Sequence, residues 1–308
     1  MDPVRQIADA VLYEGYILWP YRRSALKNRQ RWTFGGVYPR EHSAEHPDDR
    51  WTTQTQCLLE GGSGLDVALR FLHVVRRQVL DGAEPVDELV VDGERHLSWE
   101  EAIEREVTAQ GPGRVAIRLA AGSERQELGA GAALERSWQG LQGELDVSSD
   151  QLGPGLSRIT LRVANSTPFG AGSREQALER TFCSAHAVLR SDGEFVSMTD
   201  PPQRVQAVAQ ECENEGVWPV LVGDAHTMLA SPIILEDYPR IAPESPGDLF
   251  DGGEIDQLLV LNILTLTDEE KAEMRATDPR AREILARTEG LSDDELMALG
   301  GRWTGSSS

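Results

Sequence analysis

Leu65-Asp66-Val67-Ala68-Leu69-Arg70-Phe71 sets an apolar side chain at every second position and a polar or small one between. Successive side chains of an extended chain point to opposite faces, so a period of two marks a strand with one buried face. The pattern recurs outward from this stretch. Thr53 to Leu59 reads as a strand that pauses at Gly61-Gly62. Val115, Ile117 and Leu119 alternate again, as do Leu141, Gly143, Leu145 and Val147, and then Ile159, Leu161 and Val163. Asp92-Gly93, between Leu89–Val91 and Glu94–Leu97, is the pair that a two-residue primed hairpin turn demands. Gly111-Pro112-Gly113 and Gly153-Pro154-Gly155 separate further runs. Many short strands with such turns predict a β-sandwich or half-barrel. One interruption is expected: Ser98 followed by Glu101 has capping-box spacing and predicts a short helix to about Thr108.

The flanking sequence is less regular. Asp2-Pro3 opens a helix carrying Val4, Ile7, Ala8, Val11 and Leu12, with Gly15 as its stop. His42 to Arg50 is polar and reads as an outward loop with His42 and His46 solvated. Asn165 to Gly172 reads as a hinge. Beyond it, Ser173 can cap a helix. Ala185–Leu189 is expected to pair across Ser191-Asp192-Gly193 with Phe195–Met198. Pro201 to Glu215 reads as a helix, Val217–Val222 as a strand, and Met228–Leu235 as an edge strand broken by Pro232. Helices are predicted at Glu254–Ile263, Asp268–Ala276, Pro279–Arg287 and Ser292–Leu299, with capping boxes at Thr267/Glu270 and Ser292/Glu295. The fold class is therefore α+β: an antiparallel β-sandwich-like N-terminal half, then a mixed α/β half ending in short helices. The expected division is an aromatic and basic segment over 1–50, a β-rich domain over 51–168, a mixed domain over 169–303 and a disordered tail over 304–308.

Hydrophobic residues make up 40% of the 308 and charged ones 26%, a balance that supports a packed core. The formal net charge of -21 opposes general binding to nucleic acid and to anionic lipid. Cys57, Cys183 and Cys212 are too few and too scattered for a disulfide framework, which points to reduced thiols and a cytoplasmic location. The start, Met1-Asp2-Pro3-Val4-Arg5, lacks the pattern of a signal peptide. No run approaches the roughly 18 apolar residues of a membrane helix.

Catalytic signatures are missing from the sequence. There is no G-x-S-x-G elbow and no G-x-G-x-x-G, and Gly61-Gly62-Ser63-Gly64 lacks a following Lys-Ser/Thr, so it reads as a hairpin turn. Cys183 and His186 have the spacing of half a zinc site, but no second pair lies nearby. No catalytic residue, metal or cofactor is assigned. The alternative is a metal-handling protein or hydrolase whose site joins Cys183 and His186 to distant residues such as Cys212. Two segments stand out as partner-binding candidates. Tyr13 to Arg40 holds six basic residues and one acidic one among aromatics; Trp19, Tyr21, Arg22, Arg23, Arg29, Arg31 and Trp32 are its interface candidates. From Ser231 to Asp251, prolines hold the chain extended while Asp237, Tyr238, Glu244, Asp248 and Asp251 offer charge and an aromatic ring to a basic partner. Either segment could instead pack on its own domain, or the two could pair between copies in a homodimer.

SPIILEDYPRIAPESPGDLFDGGEIDQLL (Ser231 to Leu259), with LTLTDEEKAEMRATDPRAREIL (Leu264 to Leu285), DPVRQIADAVLYEGYILWPYRRSALKNRQRWTFGGVYP (Asp2 to Pro39) and GEFVSMTDPP (Gly193 to Pro202), resembles an uncharacterised family of actinobacterial proteins. The resemblance covers somewhat under half the chain, and none of its markers is a catalytic motif. It implies an association with gene clusters for [NiFe]-hydrogenases and their maturation factors. The implied role is accessory, assembly or structural, with a hydrogenase subunit or maturation factor as partner.

Overall fold

The structure is a computed structural model that describes residues 3–14, 16, 32, 34–239 and 263–291. The predicted helices at 254–263 and 292–299, apart from Ile263 itself, and the tail at 304–308 lie outside the described residues. Helices α1 (Pro3–Tyr13) and α2 (Arg40–Glu45) precede a long run of strands. These are β1 (Thr52–Glu60), β2 (Leu65–Asp81), β3 (Glu84–Val86), β4 (Glu88–Val91), β5 (Glu94–Leu97), β6 (Trp99–Gln110), β7 (Gly113–Leu119), β8 (Gly122–Gly129), β9 (Ala132–Trp138), β10 (Leu141–Gly153) and β11 (Leu156–Asn165). There follow α3 (Arg174–Leu178), β12 (Cys183–Ser191), β13 (Glu194–Phe195), α4 (Gln206–Gln210), β14 (Trp218–Val222), β15 (Asp224–Ser231), α5 (Asp268–Thr277) and α6 (Pro279–Glu289). The fold is α+β, with a body of antiparallel sheet and short helices towards its C-terminal end.

Two sheets form the body. The smaller runs β13-β1-β11-β10-β7 and the larger β14-β15-β12-β2-β9-β8. β2 is the spine of the larger sheet. On one flank it pairs with β12 through Leu65–Leu72 and with β9 through Arg76–Asp81; on the other it pairs with β6 and then β3. The alternation that starts at Leu65 does what its period implies. Leu65, Val67, Leu69 and Phe71 face Cys57, Leu145, Ile159 and Leu161 of the smaller sheet in one shared core. Leu72 and Val74 belong to a second cluster, on the outer face, under α5 and α6. With both faces covered, Leu69 to Val75 is buried without a break, as in a strand sandwiched between two layers. α1 covers another part of that outer face, where Ile7, Ala8 and Val11 pack on Val188, Val220 and Leu229.

Several local expectations give way to pairing across the sheet. The stretch after Ser98 is β6, not a helix, and keeps register with β2 over twelve residue pairs. The Ser98 hydroxyl caps nothing. It accepts from Val79 N at 2.9 Å and donates to Val86 O at 2.6 Å. β12 and β13 are not a hairpin: β12 lies in the larger sheet and β13 pairs with β1 in the smaller. Gly61–Gly64 is likewise a crossover between sheets and not a hairpin turn. These two crossovers touch back to back. Gly62 has φ +76°, and a Cβ on it would lie 2.6 Å from Gly193 N. β15 has strands on both sides, so the edge falls to β14, and Pro232 follows the strand instead of breaking it. The helix expected over 201–215 is limited to α4.

Pro168 does not divide two packing units, because β12 and β15 extend the sheet that β2 begins. Asn165, at the expected hinge, is fully buried. It donates to Val37 O and Arg180 O, each at 2.8 Å, and accepts from Thr167 N at 2.9 Å.

Candidate interaction surface

Of the residues proposed to meet a partner, Trp19, Tyr21, Arg22, Arg23, Arg29, Arg31, Glu244, Asp248 and Asp251 lie outside the described residues. Trp32 is described, and it is core. Its indole is 3% exposed and meets Tyr16 edge-on at 5.1 Å, in the cluster that includes Met274, Ile284 and Leu285. The Tyr16 hydroxyl donates to Asp278 Oδ2 at 2.6 Å, so this part of the N-terminal segment is tied to the C-terminal helices. Burying so large a ring stabilises the fold more than leaving it in water, and it holds Trp32 at φ 65° despite the strain of that region.

The second segment divides differently. Asp237 is a latch. Its Oδ2 accepts from Ser197 Oγ at 2.5 Å and Thr199 Oγ1 at 2.7 Å, and its Oδ1 accepts from Leu221 N at 2.8 Å. Tyr238 N donates to Leu221 O at 2.7 Å, so residues 232–238 return along the free side of β14. The Tyr238 side chain is left 44% exposed.

Three other exposed apolar residues lie on β14 or near it in the fold. Trp218 lies opposite Ser231, where the returning segment begins, and Ile234 lies between that point and Tyr238. Phe34 reaches the same corner: Gly35 packs so close to Pro232 that a Cβ would sit 2.7 Å from its ring. Exposure is 84% for Ile234, 42% for Trp218 and 39% for Phe34. Among the described residues the other exposed large apolar side chains are Val90 and Leu152, each near a hairpin tip. Four of the six exposed large apolar residues among the described residues therefore lie on β14, on the segment that returns beside it, or next to Pro232. Tyr238 was legible as an interface candidate. Ile234 was missed, although in Ile233-Ile234-Leu235 not all three side chains can face inward. Phe34 and Trp218 carry no local signal, since their exposure depends on which strand forms the edge.

Of the metal-site candidates, Cys183 and His186 are buried and Cys212 is half-buried. Cys183 belongs to the cluster under α5 and α6, while His186 lies across from Arg70 in the ladder, with a bulge between the two. The His186 Nδ1 lies 3.0 Å from Ser184 O, and burial lowers its pKa to about 4. Among the described residues no three His, Cys, Asp or Glu side chains form a group able to hold a metal. The thiols of Cys57, Cys183 and Cys212 are unbridged. His42, expected to be solvated, is 2% exposed. It stacks on Tyr38 and its Nε2 lies 2.8 Å from Asp49 Oδ2, while His46 remains outside. Arg174 donates to the Tyr38 hydroxyl at 2.7 Å; burial raises the Tyr38 pKa, and Arg174 partly opposes that shift.

A polar cleft of about 460 Å³ opens where the β4–β5 hairpin, β8–β9 and the α5–α6 corner meet. On its floor Glu101 accepts from Arg77 Nη1 and from Arg136 Nε, each at 2.7 Å. Arg77 also donates to Leu97 O, Ala276 O and Thr277 O, so its donors brace three elements. The last two carbonyls end α5, where a cation satisfies orphan acceptors and complements the helix dipole. The arrangement is a brace whose charges answer one another. No helix among the described residues is long and apolar enough to cross a membrane. No protein-family model and no curated protein matches the chain.

Proposed function

We propose that this protein is a non-catalytic accessory, assembly or structural partner, acting in the cytoplasm as part of a [NiFe]-hydrogenase system. The observation that carries the partner role is the exposure of Phe34, Trp218, Ile234 and Tyr238 on and around β14. Exposed large apolar and aromatic side chains are what a protein interface uses as anchors. The hydrogenase context comes from the resemblance of residues 2–39, 193–202, 231–259 and 264–285 to proteins associated with such gene clusters. The client in this reading is a hydrogenase subunit or a maturation factor.

The test is affinity purification of the tagged full chain from its native host. A hydrogenase subunit or maturation factor should be retained, and retention should fall when Ile234 and Tyr238 are changed to Glu. Recovery of no hydrogenase component would remove the proposed context. Retention of one by the double variant at the native level would remove these side chains from the argument.

A further inference from the structure

We infer that a single water molecule is held between Arg70 and His186 beneath α1, accepting from Arg70 Nη1 and donating to His186 Nε2. It ties β2 to β12 beside the bulge that interrupts their ladder.

Beyond the bulge the side chains of β12 alternate. Ala187 and Leu189 enter the core between the sheets, and Val188 packs under α1. His186 shares the face of Val188 and stands opposite Arg70 in the ladder. Side chains at such paired positions have Cβ atoms about 4.5–5.5 Å apart. Both are buried: His186 is 1% exposed and Arg70 4%. α1 ties down the guanidinium, where Asp9 Oδ1 accepts from Arg70 Nη2 at 2.6 Å. Among the described residues, Arg70 Nη1 and His186 Nε2 have no hydrogen-bond partner. A buried polar atom left so is costly, and folded proteins satisfy nearly all such atoms through protein groups or ordered water.

The bulge fixes what each atom needs. Ser184, at φ 52°, sets its carbonyl oxygen 3.0 Å from His186 Nδ1. That oxygen only accepts, so in the neutral ring Nδ1 carries the proton and Nε2 is a bare acceptor. Arg70 Nη1 can only donate. A ligand that serves both must donate and accept. A simple anion offers Nε2 no donor, and Asp9, Glu104 and Glu106 already face the guanidinium at 2.6, 3.2 and 3.8 Å. A metal cation is repelled by Arg70, and among the described residues no three His, Cys, Asp or Glu side chains gather to hold one. Water is small and neutral, donates and accepts, and settles at buried polar groups of this kind.

The test pairs a crystal structure of the full chain, at a resolution that shows ordered water, with NMR of the same protein in solution. The map should place one water within hydrogen-bond distance of both Arg70 Nη1 and His186 Nε2. Long-range proton–nitrogen correlation should show the His186 ring protonated at Nδ1 at neutral pH. Its ring protons should show a nuclear Overhauser contact to a long-lived water. A direct Arg70–His186 hydrogen bond, an ion between the two, a map empty there, or a ring protonated at Nε2 would overturn the inference. Both measurements use the unmodified chain, so neither depends on whether a variant folds.

Discussion

Asn165→Ala removes a fully buried side chain whose amide reaches three backbone groups in three different segments. The cost follows from which of those groups keeps another partner. Val37 O also accepts from Phe182 N at 3.1 Å, so it remains satisfied. Arg180 O and Thr167 N lose the bonds they make with the amide. A buried polar group left unpaired costs about 1–3 kcal/mol, and Arg180 O is partly within reach of water. The expected loss is therefore about 3 kcal/mol, a large share of the roughly 5–15 kcal/mol that stabilises a domain. Asn165→Asp makes the sharper comparison. It keeps an oxygen for Thr167 N but turns a second oxygen towards the two carbonyls. At neutral pH it should cost more than alanine, and acidification should narrow the gap, because a protonated carboxyl regains one donor. Urea unfolding followed by tryptophan fluorescence measures both, provided the slopes agree. A loss under about 1 kcal/mol for alanine, or a milder loss for aspartate than for alanine at pH 7, would refute the reasoning.

Three further outcomes are expected. Burial, reinforced by Arg105 at His73 and by Arg70 at His186, lowers both histidine pKa values from 6.5 to about 4. The unfolded chain then binds more protons than the native one between those values, so this stability is complete above pH 6.5 and lost on acidification, on the order of 3 kcal/mol per histidine; a His73→Gln/His186→Gln variant should show a shallower decline in denaturation midpoint over that range. Gly143→Ala would set a Cβ against Ala164 O and 2.7 Å from the Phe182 ring, and should lower stability by about 1–3 kcal/mol in thermal unfolding. Arg77→Ala strips Glu101 of one cation and the end of α5 of its donor; it should cost about 3–5 kcal/mol and speed hydrogen exchange across 268–289, and unchanged exchange there would contradict the bracing role.

Strand content was legible where alternation and turn chemistry agreed. Asp92 and Gly93 adopt φ 52° and 81°, as the primed turn requires, and β2, β7, β10 and β11 follow their apolar periods. The cap expected at Ser173 and the capping box expected at Thr267 both form. The same signal failed at Ser98, because a long ladder with β2 outweighs one local cap and Glu101 is drawn between two arginines. Sheet membership was not legible: Asp192-Gly193 reads as a turn whether the chain reverses in one sheet or crosses to the other. The interface candidates show the same limit. Composition identifies aromatic and charged segments, but whether Trp32 ends inside and Trp218 outside depends on helices and an edge supplied from elsewhere in the chain.

The β2–β12 ladder has a consequence for biogenesis. Leu72 pairs with Cys183, so one flank of the spine waits for a strand made roughly a hundred residues later. At about 5–20 residues per second on the ribosome, that delay is about 5–20 s. Through those seconds the nascent chain carries an apolar segment with an unclaimed ladder edge, the kind of surface that holdase chaperones cover. Shortening the message at codon 168 would make the vulnerability permanent, and such a product should accumulate in inclusion bodies.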